Sequence, residues 1–141
     1  MTAKSLSAQV LQPGEAAGTA LVLSEPLSFW GGFDPASGRV IDKRHPQTGA
    51  ETAGKILLLP ESHGSGGTPA GLAEAIRRGT APAAIVLARA DVNITIGAMI
   101  ANELYGRVVP VLVITEEDFG FVREGDHIAI SRDGKMTVGR D

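Results

Sequence analysis

Ser62, His63, Ser65 and Thr68 fall close together in the segment Glu-Ser-His-Gly-Ser-Gly-Gly-Thr-Pro, residues 61–69, interleaved with Gly64, Gly66 and Gly67. Hydroxyls and an imidazole on one short loop can bind a polar ligand, move a proton or supply a nucleophile. Glycines between them let the backbone approach a ligand, because no Cβ intervenes. The apolar run at 54–59 that precedes the loop is long enough for a buried strand. Thr68-Pro69 predicts an N-cap followed by proline at the first helical position. Leu72, Ala75 and Ile76 then share one helical face, with Glu74, Arg77 and Arg78 elsewhere, and Gly79 closes the helix. The loop is therefore expected at the positive end of a helix dipole, where free N–H groups can hold an anion. The same glycines suit a plain tight turn, and the loop alone leaves both readings open.

Other catalytic signatures do not fit. The loop is not a P-loop, since no Gly-Lys-Ser/Thr follows its glycines. It is not a nucleophile elbow, because His63 stands where Gly-x-Ser-x-Gly needs its first glycine. His45, His63 and His127 lack metal-ligand spacing on any one element, so no metal site is expected. Counting residues does not exclude a Ser65–His–Asp triad, but nothing in the sequence orders one.

The elements that must position the loop are short and apolar. Residues 5–11 alternate as a first strand, and 18–23 are a second. Residues 83–88 and 108–114 are buried strands, apolar on both faces. A helix is expected over 94–105, with Ile96, Met99, Ile100 and Leu104 as its core stripe and Gly106 as its cap. Thr115 to Phe119 suits a short capped turn of helix, whose acids need no catalytic role. Strands at 127–131 and 135–138 are joined by Arg132-Asp133-Gly134, a hairpin signal. Residues 27–49 form a long loop holding the only tryptophan and a brief strand at 39–42. Such a loop in a compact domain is functional or strongly packed. Phe29, Trp30 and Phe33 are expected to anchor it on the core. Asp34 and Asp42 read as turn residues, and His45-Pro46 is ambiguous. These elements predict one α/β domain over 1–141 with a mixed sheet and a barrel-like β layer.

Composition narrows the partners. The net charge of −3 and the lack of a basic patch argue against nucleic acid. No apolar run reaches about 18 residues and no signal-peptide core opens the chain, so no membrane is expected and the cytoplasm is the default compartment. Eighteen glycines and eight prolines imply many turns rather than a helical bundle. The absence of cysteine excludes disulfides and means that this chain alone holds no thiolate-ligated cluster.

Leu27-Ser28-Phe29-Trp30-Gly31-Gly32, followed by Asp34, Gly38, Asp42, His45-Pro46 and Gly49, resembles the signature of the aconitase X swivel-domain family. The resemblance runs on through Gly54, Pro60, Gly64-Ser65, Leu72, Glu74, Gly79, Ala81-Pro82-Ala83-Ala84 and Glu103-Leu104-Tyr105-Gly106. It implies an aconitase-type swivelling β/β/α domain. Members are fused to a large catalytic portion or made as a separate small subunit, and this chain resembles the latter. The implied reaction is dehydration of a hydroxy acid, active only with the large subunit. That partner's cysteines would hold an iron–sulfur cluster, with none bound by this chain. The implied substrate is cis-3-hydroxy-L-proline, with 5-phosphomevalonate as the alternative; a non-catalytic binding or regulatory domain is a further one. By position Ser65 corresponds to the catalytic serine, acting as the base. His63, Gly64, Gly66, Ser62 and Thr68 surround it as substrate-binding residues. One departure is plain: the family's usual Arg-Gly-Ser is His63-Gly64-Ser65 here.

Overall fold

The computed structural model describes residues 2–62 and 66–141. The strands are β1 Thr2–Ser7, β2 Gln9–Gln12, β3 Ala16–Val22, β4 Phe33–Asp34, β5 Arg39–Val40, β6 Ile56–Leu59, β7 Ala84–Leu87, β8 Val111–Val113, β9 His127–Ile130 and β10 Lys135–Arg140. The helices are α1 Thr68–Arg78, α2 Val92–Tyr105 and α3 Glu116–Phe121. β4 and β5 form a small separate hairpin; the other strands make one eight-stranded sheet in the order β1-β10-β9-β3-β6-β7-β8-β2.

The middle of that sheet is parallel. β3 pairs with β6, β6 with β7 and β7 with β8, all parallel. The antiparallel part is β1, β10, β9 and the first half of β3, with β2 antiparallel on β8 at the far end. The large mixed sheet expected from the sequence is therefore present. The expected strand over 5–11 is two strands split at Ala8, whose N–H donates to the Gly134 carbonyl at 3.0 Å. β1 and β2 stand at opposite ends of the sheet order although only Ala8 separates them. The sheet must therefore curve until those two edges approach each other.

Both faces of the parallel strands are buried, which explains their unbroken apolar sequence. Leu57, Leu59, Ile85 and Leu87 face α1, α2 and the 27–33 segment. Ile56, Leu58, Ala84 and Val86 face the second core, which Ile128, Ile130, Met136 and Val138 complete. In β6 and β7, alternation thus divides apolar residues between two cores instead of between core and water.

α2 departs from its expected orientation. Its buried residues are Ile94, Gly97, Ala98 and Ala101, while Ile96, Met99, Ile100 and Leu104 are exposed. The reason is the distance to α1. A Cβ on Gly97 would stand 3.0 Å from the Pro69 carbonyl oxygen and 3.2 Å from the Leu72 Cβ. Helices that close can meet only through small side chains, so the bulky stripe turns outward. Asp91 caps α2 by accepting the Ile94 N–H at 2.9 Å, and Gly79 and Gly106 end α1 and α2 in the left-handed region, as expected.

One buried ion pair fastens the C-terminal strand. The Asp126 carboxylate, 4% exposed, accepts the Arg140 Nε at 2.9 Å and Nη2 at 2.7 Å, and the Arg123 N–H at 2.8 Å. Arg140 also donates to the Phe121 carbonyl at 2.7 Å and lies over the Phe121 ring. Hydrogen bonds from Arg140 hold the Asp126 carboxyl below its ordinary range, against the opposing effect of burial. A lowered carboxylate pKa stabilises the fold above the unfolded value, near 4, and that contribution is lost as pH falls through the folded value. Asp126→Asn is expected to cost about 2 kcal/mol at neutral pH, on the order of 5–10 °C in melting temperature. Melting temperatures of wild type and variant should converge as pH falls below about 4; a constant gap down to about pH 2 would show that the charge is not what stabilises.

Candidate functional site

β6 leads through residues 60–67 into α1, and β7 leads through 88–91 into α2. Because β6 and β7 are parallel, both loops emerge at the same edge, the carboxyl ends of the strands. In α/β sheets ligands bind at that edge. Ser62 pairs with Leu27 in an isolated parallel bridge, which ties the start of the loop to the 27–33 segment. Gly66 is exposed. His63, Gly64 and Ser65 lie outside the described residues.

The helix start differs from the expected cap. Gly67, not Thr68, is the N-cap residue, so the helix start has no capping hydroxyl of its own at that position. Thr68 is the first helical residue, completely buried, and its hydroxyl has no hydrogen-bond partner among the described residues. No acidic residue occupies the first turn. The positive end of α1 is therefore left uncompensated by its own side chains, beside the loop that carries the hydroxyls.

The 27–49 segment packs beside the described ends of the loop, at Ser62 and Gly67. Phe29 and Phe33 are buried, with ring centroids 5.0 Å apart, and they anchor the segment as expected. Trp30 does not: it is 60% exposed and its indole lies against Gly67, where an added Cβ would come within 2.3 Å of Cδ2. The Ser28 hydroxyl fixes the turn beneath it, donating to the Trp30 carbonyl at 2.8 Å and accepting the Trp30 N–H at 3.1 Å. Trp30 separates two surface cavities. One, of about 360 Å³, is lined by Ser28, Trp30, Gly31, Gly32, Asp42 and Arg44. The other, of about 370 Å³, is lined mainly by apolar atoms of Phe29, Trp30, Phe33, Pro35 and Ala70. The sequence signal for Trp30 was an aromatic followed by two glycines in a polar loop, a position that gives it room but little to bury against.

The charged residues sort into structural and available groups. Glu74 accepts Arg77 Nε at 2.6 Å and Arg78 Nε at 2.9 Å, and these bonds lower its pKa to about 2. Both arginines are thus engaged on α1. Arg44 is nearly fully exposed, 3.9 Å from Asp42, and faces the Trp30 cavity. Asp34 and Asp42 do the turn chemistry expected of them, accepting the Ala36 and Arg44 N–H groups. His45 is buried; its Nδ1 accepts the Gln47 N–H at 3.0 Å, so Nε2 carries the proton that points to the Glu25 carbonyl at 3.1 Å. It is a structural residue of the long loop. His127 lies on β9, 3.4 Å from Asp141 and on a different element from His45. Among the described residues no three His, Asp or Glu side chains gather as metal ligands, and with no cysteine the chain's own residues do not fit an iron–sulfur cluster.

Comparison with known proteins adds to this geometry. Residues 5–138 match the sequence profile of the aconitase X swivel domain. The cis-3-hydroxy-L-proline dehydratase of Pseudomonas aeruginosa is 42% identical over 108 residues, covering 77% of this chain but 19% of that protein. The phosphomevalonate dehydratase small subunit of Methanothermobacter thermautotrophicus is 36% identical over 130 residues, covering 91% of this chain and 95% of the subunit. The chain spans about a fifth of the length of the Pseudomonas aeruginosa dehydratase and of the cis-3-hydroxy-L-proline dehydratase of Hypocrea jecorina. The crystal structure of Thermococcus kodakaraensis aconitase X in its holo form superposes with a TM-score of 0.86, 27% identical, over 97% of this chain and 99% of that one.

Proposed function

This chain belongs to the aconitase X swivel-domain family, and from that premise we propose that it is the small subunit of a cytoplasmic hydro-lyase that dehydrates a hydroxy acid. On this reading Ser65 removes the proton α to the substrate carboxylate. The electron pair left on that carbon forms the new double bond as the β-hydroxyl departs, and with one proton it leaves as water. The large subunit would hold the iron–sulfur cluster on its own cysteines, since this chain has none.

The observation that supports the reading is the start of α1, with no acid in its first turn and the serine-bearing loop directly before it. An unperturbed serine is far too weak a base at neutral pH. Stabilising its alkoxide requires oriented N–H dipoles and a cation in a site that excludes water. The α1 terminus would provide the dipoles, and closure by the large subunit over Trp30 would exclude water. Arg44, on the Trp30 cavity, is an available guanidinium. Ser62, His63, Gly64, Gly66 and Thr68 would surround the substrate carboxylate.

We favour cis-3-hydroxy-L-proline as substrate. The bacterial hydroxyproline dehydratase is the more identical relative, at 42% against 36%, and Arg77 and Arg78 are engaged by Glu74 rather than free for a phosphate. Chain length supports the second reading, 5-phosphomevalonate, because 95% of that small subunit is covered. The test is dehydration of both compounds by this chain copurified with its cysteine-bearing large subunit. Turnover of cis-3-hydroxy-L-proline at least tenfold above that of 5-phosphomevalonate is expected. The reverse ratio would replace the substrate. An intact complex inactive on both would remove the substrate assignment and favour a non-catalytic swivel domain or another hydroxy acid.

A further inference from the structure

We propose that the outward face of α2, formed by Val92, Ile96, Met99, Ile100 and Leu104, is the surface on which the large subunit docks. The proposal rests on the reading of this chain as a small subunit. The five residues lie at i, i+4, i+7, i+8 and i+12, one continuous stripe along the helix. Val92 is 73% exposed, Met99 52% and Leu104 67%. Glu103 is the only charged residue among the fourteen of α2. Near the helix start the stripe borders an apolar groove of about 310 Å³, lined by Leu11, Val92, Ile96 and Met99 among others. Soluble domains rarely leave such a stripe in water unless a partner covers it.

Two observations identify the occupant. First, the stripe begins at the same sheet edge as the site loop, since α1 and α2 follow the parallel strands β6 and β7. Pro69, just beyond the loop, touches α2 at Gly97. A body large enough to close over residues 60–67 from that edge continues onto Val92 and Ile96. Second, two single-chain relatives contain this unit as 19% and 21% of their length, while another relative bears it as a small subunit. In the first two the unit is joined to a larger remainder, and the name small subunit gives the third a larger partner made separately. That remainder, rather than a second copy of the unit, is the neighbour common to both. The near absence of charge on α2 also suits a protein interface core better than an anionic surface.

The test is capture of the large subunit by the tagged chain on coexpression, comparing wild type with Met99→Glu, Leu104→Gln and, at the exposed first residue of β10, Lys135→Glu. Capture is expected to fall at least tenfold for Met99→Glu and severalfold for Leu104→Gln, and to hold for Lys135→Glu. Melting of the free chain should be unchanged in all three, which separates lost docking from lost folding. Strong capture by wild type with capture within twofold in both α2 variants would overturn the docking face while leaving the subunit reading standing. No capture by wild type would overturn both. If the free chain sediments as a dimer that Met99→Glu dissociates, and capture is unaffected, the face serves self-association and the proposal fails.

Discussion

Ser65→Ala in the assembled complex is expected to lower turnover by about a thousandfold, with the complex intact and substrate affinity changed little. The size follows from the role. A positioned base that removes the α-proton typically contributes about 10²–10⁴ in rate. A hydroxyl that merely touched the substrate would contribute a hydrogen bond of about 1 kcal/mol, roughly fivefold. These outcomes are far enough apart to decide between base and contact. The geometry sharpens the test further. If α1 stabilises an alkoxide, an acid placed in its first turn should raise the serine pKa and suppress turnover even at saturating substrate. Ala70 is the exposed first-turn position for that change, and Ala70→Glu should act through the pH profile of turnover, moving its rising limb upward. A hundredfold or greater loss in Ser65→Ala that Ser65→Cys leaves unrescued would still fit a base. Retention of turnover within fivefold would remove Ser65 from the proton transfer, and attention would pass to His63.

Several parts of this architecture were legible as sequence because local chemistry and burial agree there. Residues 57–59 and 84–87 are apolar at every position because two cores claim alternate side chains, so the run itself signals a central strand. The Asp133-Gly134 hairpin and the glycines that end α1 and α2 follow from positive φ alone. The failures are tertiary. At α2, hydrophobicity assigns Ile96, Met99, Ile100 and Leu104 to the core, yet contact with Pro69 and Leu72 admits only Gly97 and its small neighbours. At Thr68, a residue with ideal capping chemistry is drawn inside the helix and buried, and Gly67, with the Trp30 indole resting against it, takes the cap. Phe29 and Trp30 are adjacent, apolar and aromatic, and nothing local distinguishes the one that anchors from the one that faces solvent. The loop's composition was informative about its place before α1. The role of Ser65 came from family resemblance alone, and His63, Gly64 and Ser65 lie outside the described residues.

Gly71→Ala should be among the most destabilising single changes on α1, although alanine is ordinarily the better helix former. An added Cβ would stand 2.2 Å from the Phe29 carbonyl oxygen and 3.1 Å from its carbon. Both are backbone atoms, so no rotamer change relieves the contact. The Phe29 backbone cannot yield cheaply either, because its ring is fully buried against Phe33. α1 cannot retreat, because Gly97 already holds it at contact distance from α2. Overpacking of this kind costs about 1–3 kcal/mol, occasionally more, and the helix preference of alanine returns about 1 kcal/mol. With every neighbour fixed, the upper end applies, and the net loss should be about 2 kcal/mol, roughly 5–10 °C in melting temperature. Gly120→Ala is the matched control: it lies in α3 with nothing within 4 Å of an added Cβ, and it should melt at or slightly above wild type. Gly67→Ala separates stability from the site. The nearest atoms to its Cβ belong to the Trp30 indole, an exposed side chain free to swing away. That variant should stay within about 1 kcal/mol of wild type and still lose activity as the indole beside the loop moves. Equal melting of Gly71→Ala and Gly120→Ala would mean that α1 and the Phe29 segment are not locked together, and the link from the aromatic segment to the site loop would then have to be given up.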